Sequence, residues 1–197
     1  KVSSKIFFNL FKLSIGHSLE TINNLIKHHG LIVLIGIFFN AQMVAYINTA
    51  KTLFYFFPFR LFNLLQNISI FEYAYLFGKK KIFEIKNYHI KHIFLILLLL
   101  TIFIISSLAM GTGFYGFWLN DRFALSYTFL LLLVFDASIQ VLKTAITIVM
   151  RSLNIFFTIN LIETLFVLAS ISISYYLLLI DYSFLSYFII TLISSSL

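Results

Sequence analysis

The chain has 197 residues, 61% hydrophobic and 11% charged, with a formal net charge of +7 and a mean hydropathy of +1.00. Soluble domains carry about 25% charged residues, so this composition leaves too little polar surface for a water-soluble domain. Cysteine is absent, which excludes disulfides and thiolate metal sites.

The apolar runs at 93–105 and 129–135 are continuous, whereas a transmembrane barrel would alternate in segments of about ten residues. The expected fold is therefore all-α, a polytopic membrane helix bundle. Each span needs about 20 apolar residues. Six are predicted, at 12–39, 44–70, 92–110, 124–150, 155–180 and 183–197, the last cut short. The chain begins at Lys1 and stops inside an apolar stretch, so it is expected to be part of a longer protein, one transmembrane lobe over 1–197. No cleavable leader pattern is visible.

The first predicted span carries His17, Glu20, Thr21, Asn24, Lys27 and His28 at the i, i+3, i+4, i+7 spacing of one helix face. A lysine at mid-membrane costs roughly 2.5–3.5 kcal/mol on insertion scales. The stripe is expected to line a water-filled cavity; a pair of Lys27 with Glu20 or Asp136 that joins helices is the structural alternative. A tight turn is predicted at 40–43.

The second span holds Asn48, Lys51, Thr52 and Tyr55, then Pro58 and Arg60. Pro58 has no N–H to give the Phe54 carbonyl, so a kink or hinge is expected there. Lys51 and Arg60 lie about 180° apart at 100° per residue and cannot face one lumen. Next comes a basic connector, 77–91, with Lys79, Lys80, Lys81, Lys86 and Lys91. It also alternates lysine with Ile82, Phe83, Ile85 and Ile90, a pattern suited to an interfacial helix on anionic lipid.

After the third span a Gly- and aromatic-rich connector is predicted at 111–121, with Tyr115 and Trp118 suited to the interface. The fourth span has a polar ridge of Asp136, Gln140, Lys143 and Thr147, and the fifth carries Asn160, Glu163 and Thr164. The basic loops, including Lys1, Lys5 and Lys12 before the first span and Arg151 between the fourth and fifth, all fall on one side. By the positive-inside rule that side is cytoplasmic.

The substrate-cavity candidates are thus Glu20, Asn24, Lys27, His28, Lys51, Arg60, Gln140 and Lys143. Desolvation and cationic neighbours act oppositely on a buried carboxylate, so Asp136 and Glu163 are the candidates for proton or cation coupling, with salt bridges to Lys27, Arg60 or Lys143 as the alternative. At an effective dielectric of about 20 a cation 4 Å from a phosphate gains about 4 kcal/mol, which favours an anionic headgroup such as a diphosphate. His89 and His92 lack a third metal ligand, and no phosphate-binding loop, nucleophile elbow or nucleic-acid surface is present. No catalytic group, metal or cofactor is expected.

From residue 30 the sequence acquires a family character. Gly30, Ile35-Gly36 and the stretch Asn40-Ala-Gln-Met-Val-Ala-Tyr-Ile-Asn-Thr-Ala-Lys-Thr-Leu53 resemble a segment of the polysaccharide flippases, the O-antigen and teichoic-acid exporters of the multidrug/oligosaccharidyl-lipid/polysaccharide exporter superfamily. In that segment the family carries arginine where this chain has Lys51. Trp118 and Asn154 fall where such proteins often have a tryptophan and a Leu-Asn loop. The resemblance implies the second six-span lobe of a twelve-span transporter in a bacterial cytoplasmic membrane, partnered by an N-terminal lobe and by membrane lipid. It implies alternating-access movement of undecaprenyl-diphosphate-linked oligosaccharide, with Lys27 facing the cavity. A cation-coupled drug antiporter of the same fold, a membrane polymerase or acyltransferase, and a membrane scaffold are the competing expectations.

Overall fold

A computed structural model describes residues 4–119 and 124–180. The described residues form helices α1 (Ser4–Leu25), α2 (Leu31–Phe38), α3 (Ala41–Lys51), α4 (Phe57–Gly78), α5 (Ile82–Trp118), α6 (Tyr127–Ser152) and α7 (Phe157–Ile180), with no strand. Two π-helical turns, Ile26–Gly30 and Thr52–Phe56, join α1 to α2 and α3 to α4. Three of these helices, α5, α6 and α7, are long and apolar enough to cross a membrane. They contain most of the predicted third, fourth and fifth spans. The helices over 12–39 and 44–70 do not meet that criterion, because π turns and polar residues interrupt them. The predicted sixth span, with Arg122 and Asp181, lies outside the described residues.

The contacts divide the chain into two units, one made of α1, α2 and α7 and the other of α3 to α6. In the first unit, α1 and α2 run parallel to α7. Successive contacts climb both together: His17 against Phe156 (4.5 Å between rings), Asn23 against Asn160, Lys27 against Glu163, and Phe38 against Tyr175 (5.6 Å). The contact starts tight, since a Cβ on Gly16 would stand 3.1 Å from the Phe156 ring.

In the second unit α4 and α5 form an antiparallel hairpin over α6. Phe62, Ile96, Leu100, Val141 and Ala145 are its buried core, with Phe59 and Phe103 packed against them. The hairpin closes in three residues, Lys79 to Lys81, and the rest of the basic connector expected at 77–91 is helical, continuous with α5. Lys80 adopts φ 57°, and the Lys80 and Lys81 amides donate to the Phe77 and Leu76 carbonyls. This is the left-handed cap that ends a helix and satisfies its last carbonyls. Lys86 and Lys91 then lie on the first turns of α5.

The predicted Gly-rich connector is also helical, to Trp118. Gly111 is needed there for close approach: an added Cβ would sit 2.9 Å from Leu130 and 3.2 Å from Phe54. Tyr115, fully buried, donates its hydroxyl to the Tyr46 carbonyl at 3.2 Å, fixing the end of the bundle far from the lysine-rich turn.

Two buried polar sites

The π turns bring the chemistry inside. In the first unit Lys27 lies within the turn Ile26–Gly30, and its Nζ donates to Glu163 Oε1 on α7 at 2.7 Å, with side chains 10% and 17% exposed. One turn earlier the helices are laced by amides. Asn23 Nδ2 donates to the Asn160 carbonyl (3.1 Å), and Asn160 Nδ2 donates to the Gly16 carbonyl (2.9 Å). The Asn160 carbonyl also accepts from Thr164 Oγ1 at 2.7 Å. Asn23 and Asn160 are buried. Buried amides must be satisfied, and spending them on a neighbouring backbone locks the register of the two helices.

The predicted stripe is not this contact face. His17, Thr21 and Asn24 are exposed and Glu20 is half-buried, 3.9 Å from the His17 ring. Among the described stripe residues Lys27 turns inward against α7, and it pairs with Glu163, the salt bridge expected as the alternative to coupling, rather than with Glu20 or Asp136. The His28 side chain lies outside the described set. The packed face was signalled instead by Gly16, Asn23 and Gly30 at seven-residue spacing, the small or amide residues that let membrane helices approach.

In the second unit Lys51 ends α3 immediately before the turn Thr52–Phe56. It is 3% exposed, with its Nζ 5.4 Å from the centre of the Tyr55 ring and 5.8 Å from that of Phe56. Such ring faces attract a cation, more so when it is desolvated. Asp136 of α6, 7% exposed, acts electrostatically on both Lys51 and Tyr55. Gln140 is buried one turn on, and Lys143 and Thr147 are half-buried, so the predicted α6 ridge does face inward. Gln66 of α4 is buried and donates to the Val141 carbonyl at 3.1 Å; sequence reading had passed over it.

Pro58 stands at the start of α4. The preceding π turn closes with the Phe57 amide on the Thr52 carbonyl, a five-residue step, so the helix is already widened where proline withholds its donor. Arg60, also a cavity candidate, is exposed. Its burial is opposite to that of Lys51.

A third polar group closes the hairpin end of α4 and α5. Ser69 Oγ meets His92 Nδ1 at 2.9 Å, Tyr73 OH meets His89 Nδ1 at 2.9 Å, and Tyr88 OH donates to Ser69 Oγ at 3.2 Å. Burial pushes the Tyr73 phenol up, so it stays a neutral partner. Beyond it the exposed Lys81 ammonium is pushed up by its hydrogen bond to Glu84. This network went unread because its members come from two helices and share no single period.

Known proteins offer no guide to either lysine site: no family model matches the chain, and neither a curated protein nor a solved structure similar to it was found.

Proposed function

We propose that this chain is one six-span lobe of a membrane transporter that moves polyprenyl-diphosphate-linked oligosaccharide between leaflets of a bacterial cytoplasmic membrane by alternating access. Lys51 carries the reading. It is a cation held inside an apolar helix bundle, facing the Asp136–Gln140 ridge, and ionisable residues kept at such cost in membrane segments mark transport pathways. The helix directions within each unit support the topology: α1 and α7 are parallel, and α4 to α6 alternate, as the first, fifth and second to fourth spans of a start-inside chain require. The other lobe would supply the rest of the cavity.

A cation-coupled antiporter of the same fold is the second reading. The Lys27–Glu163 pair favours it, because a carboxylate that exchanges a lysine for a proton or metal cation is a coupling device.

Lipid analysis of cells depleted of the full-length protein separates the two. The flippase reading expects lipid-linked oligosaccharide to accumulate on the cytoplasmic leaflet while surface polysaccharide is lost. Normal glycan with altered drug tolerance points to the antiporter. Loss of polymer with lipid-linked units already outside points to a membrane enzyme.

A further inference from the structure

Where α4, α5 and α6 meet, two deeply buried side chains each keep one polar atom unanswered. Gln66 of α4 and His92 of α5 are 1% and 6% exposed. Among the described residues, Gln66 Oε1 and His92 Nε2 have no hydrogen-bond partner. A buried donor or acceptor left unmet bears its full desolvation penalty, so such atoms are rare in a packed interior.

The chemistry of each atom follows from what the other end of its side chain does. The Gln66 amide faces the Val141 carbonyl of α6 at 3.1 Å. A carbonyl only accepts, so the atom on it is Nε2, and the unmet atom is the acceptor Oε1. On the imidazole, Nδ1 lies 2.9 Å from Ser69 Oγ. Ser69 Oγ already accepts from the Tyr88 hydroxyl at 3.2 Å, so its own proton goes to Nδ1. In a neutral imidazole one nitrogen accepts and the other donates, which makes His92 Nε2 the donor. One unmet acceptor and one unmet donor match in kind.

They also match in level. The antiparallel α4 and α5 set Ser69 against His92 and Phe62 among Ile96 and Leu100. Gln66 stands between those two contacts, three residues before Ser69, about 4.5 Å by helical rise, and on the same side of α4. It is therefore opposite the turn of α5 that begins at His92, with Val141 closing the third side. The two atoms do not bond each other. What joins them has to accept from an N–H, donate to a carbonyl oxygen and fit inside a helix interface, and water does all three. A metal ion would need Nε2 bare, and no group of three metal ligands occurs among the described residues.

We propose that this interface holds a bound water that accepts from His92 Nε2–H and donates to Gln66 Oε1. One hydrogen-bonded chain then runs from Tyr88 through Ser69, His92, the water and Gln66 to the Val141 carbonyl, and ties α4, α5 and α6 at a single point. The site is confined to this turn. The adjoining stretch of the same interface is filled by Phe62, Ile96, Leu100, Val141 and Ala145, whose side chains offer water no partner. It is separate from the two lysine sites and does not depend on the transport reading.

Solid-state NMR of the full-length protein, labelled with 15N-histidine and held in phosphatidylcholine bilayers, tests the site. The signal that His92→Phe removes identifies His92. In the wild type its proton is expected on Nε2, and that N–H should take up magnetisation from water at short mixing times. Gln66→Met, similar in volume but without an acceptor, should lose most of that transfer while Nδ1 keeps the shift of its bond to Ser69. A bare Nε2 or no transfer from water in the wild type overturns the proposal, and so does transfer undiminished in Gln66→Met. Thermal midpoints in detergent give a second readout. Gln66→Met and His92→Phe should each lower the midpoint, and the double variant should lose less than their sum, because removing both ends of a bridge leaves neither unmet. Additive losses would likewise overturn the bridge.

Discussion

The two units solve one problem in different ways. Each places a lysine in or next to a π turn, opposite a carboxylate on a neighbouring helix. In the α1–α7 unit the charges meet directly, Lys27 on Glu163 at 2.7 Å, with both side chains partly open. In the α3–α6 unit the lysine is 3% exposed and rests against aromatic faces, while Asp136 acts on it electrostatically. A direct pair compensates each charge with the other. A caged lysine depends on its one nearby carboxylate, because an uncompensated buried charge is penalised far more than the pair is rewarded.

That contrast can be broken at its strong end first. Asp136→Asn should destabilise the second unit by about 3–5 kcal/mol, the usual cost of stranding a buried charge. The thermal midpoint in detergent reads it, and adding Lys51→Met should recover much of the loss. If the double variant is no better than the single, Asp136 is not there for Lys51. Glu163→Gln should cost less, about 1–2 kcal/mol, because Lys27 is less deeply buried than Lys51. Equal losses at Asp136 and Glu163 would erase the distinction between a caged and an open lysine.

The packing glycines sharpen the same comparison. Gly111→Ala forces a Cβ to 2.9 Å from Leu130 and should cost about 1–3 kcal/mol through overpacking. Gly16→Ala puts a Cβ 3.1 Å from the buried Phe156 ring and 3.5 Å from the Phe157 backbone, a less severe overlap than at Gly111, so a smaller loss, about 1 kcal/mol, is expected. Gly113 has nothing within 4 Å of an added Cβ, so Gly113→Ala should be stabilising by about 0.5–1 kcal/mol through helix propensity alone. The smallest effect belongs to Lys80→Gly. It relieves a left-handed residue that lacks glycine's freedom and should raise stability by no more than about 1 kcal/mol.

The all-helical class was legible because continuous apolar runs and a low charge fraction leave few other folds. The inward ridge on α6 was legible too, since Asp136, Gln140 and Lys143 share one face of an unbroken helix. The face of α1 that packs on α7 was not legible, for a physical reason. Polarity was read as the mark of the interior, whereas Gly16 and Asn23 bury their face by fitting closely and by giving amide hydrogen bonds to α7. The loop assignment at 111–121 failed because composition stood in for geometry. Gly111 is glycine because Leu130 leaves no room for more, whereas the lysines at 86 and 91, read as part of a short helix, do stand on one. The π turns carry no periodicity of their own, and only Gly30 and Pro58, just inside one and just past the other, hinted at them. Arg60 needed its environment to be seen, because a helical wheel gives an angle but not the depth of its neighbours.

The π turn at Thr52–Phe56 has a bearing on how this chain tolerates changes in length. Its five-residue hydrogen-bond step encloses one residue more than an α turn holds. Deleting a single residue from that turn would let the ladder close as ordinary α-helix, leaving α3 and α4 each intact. The flanks would stay nearly in phase, because the π turn spreads its extra residue over about the same rotation that an α turn makes without it, so Pro58 and Arg60 would keep about their present faces relative to Lys51. The segment can therefore lose a residue without losing either helix or their alignment, and what such a deletion would remove is the local widening beside Lys51.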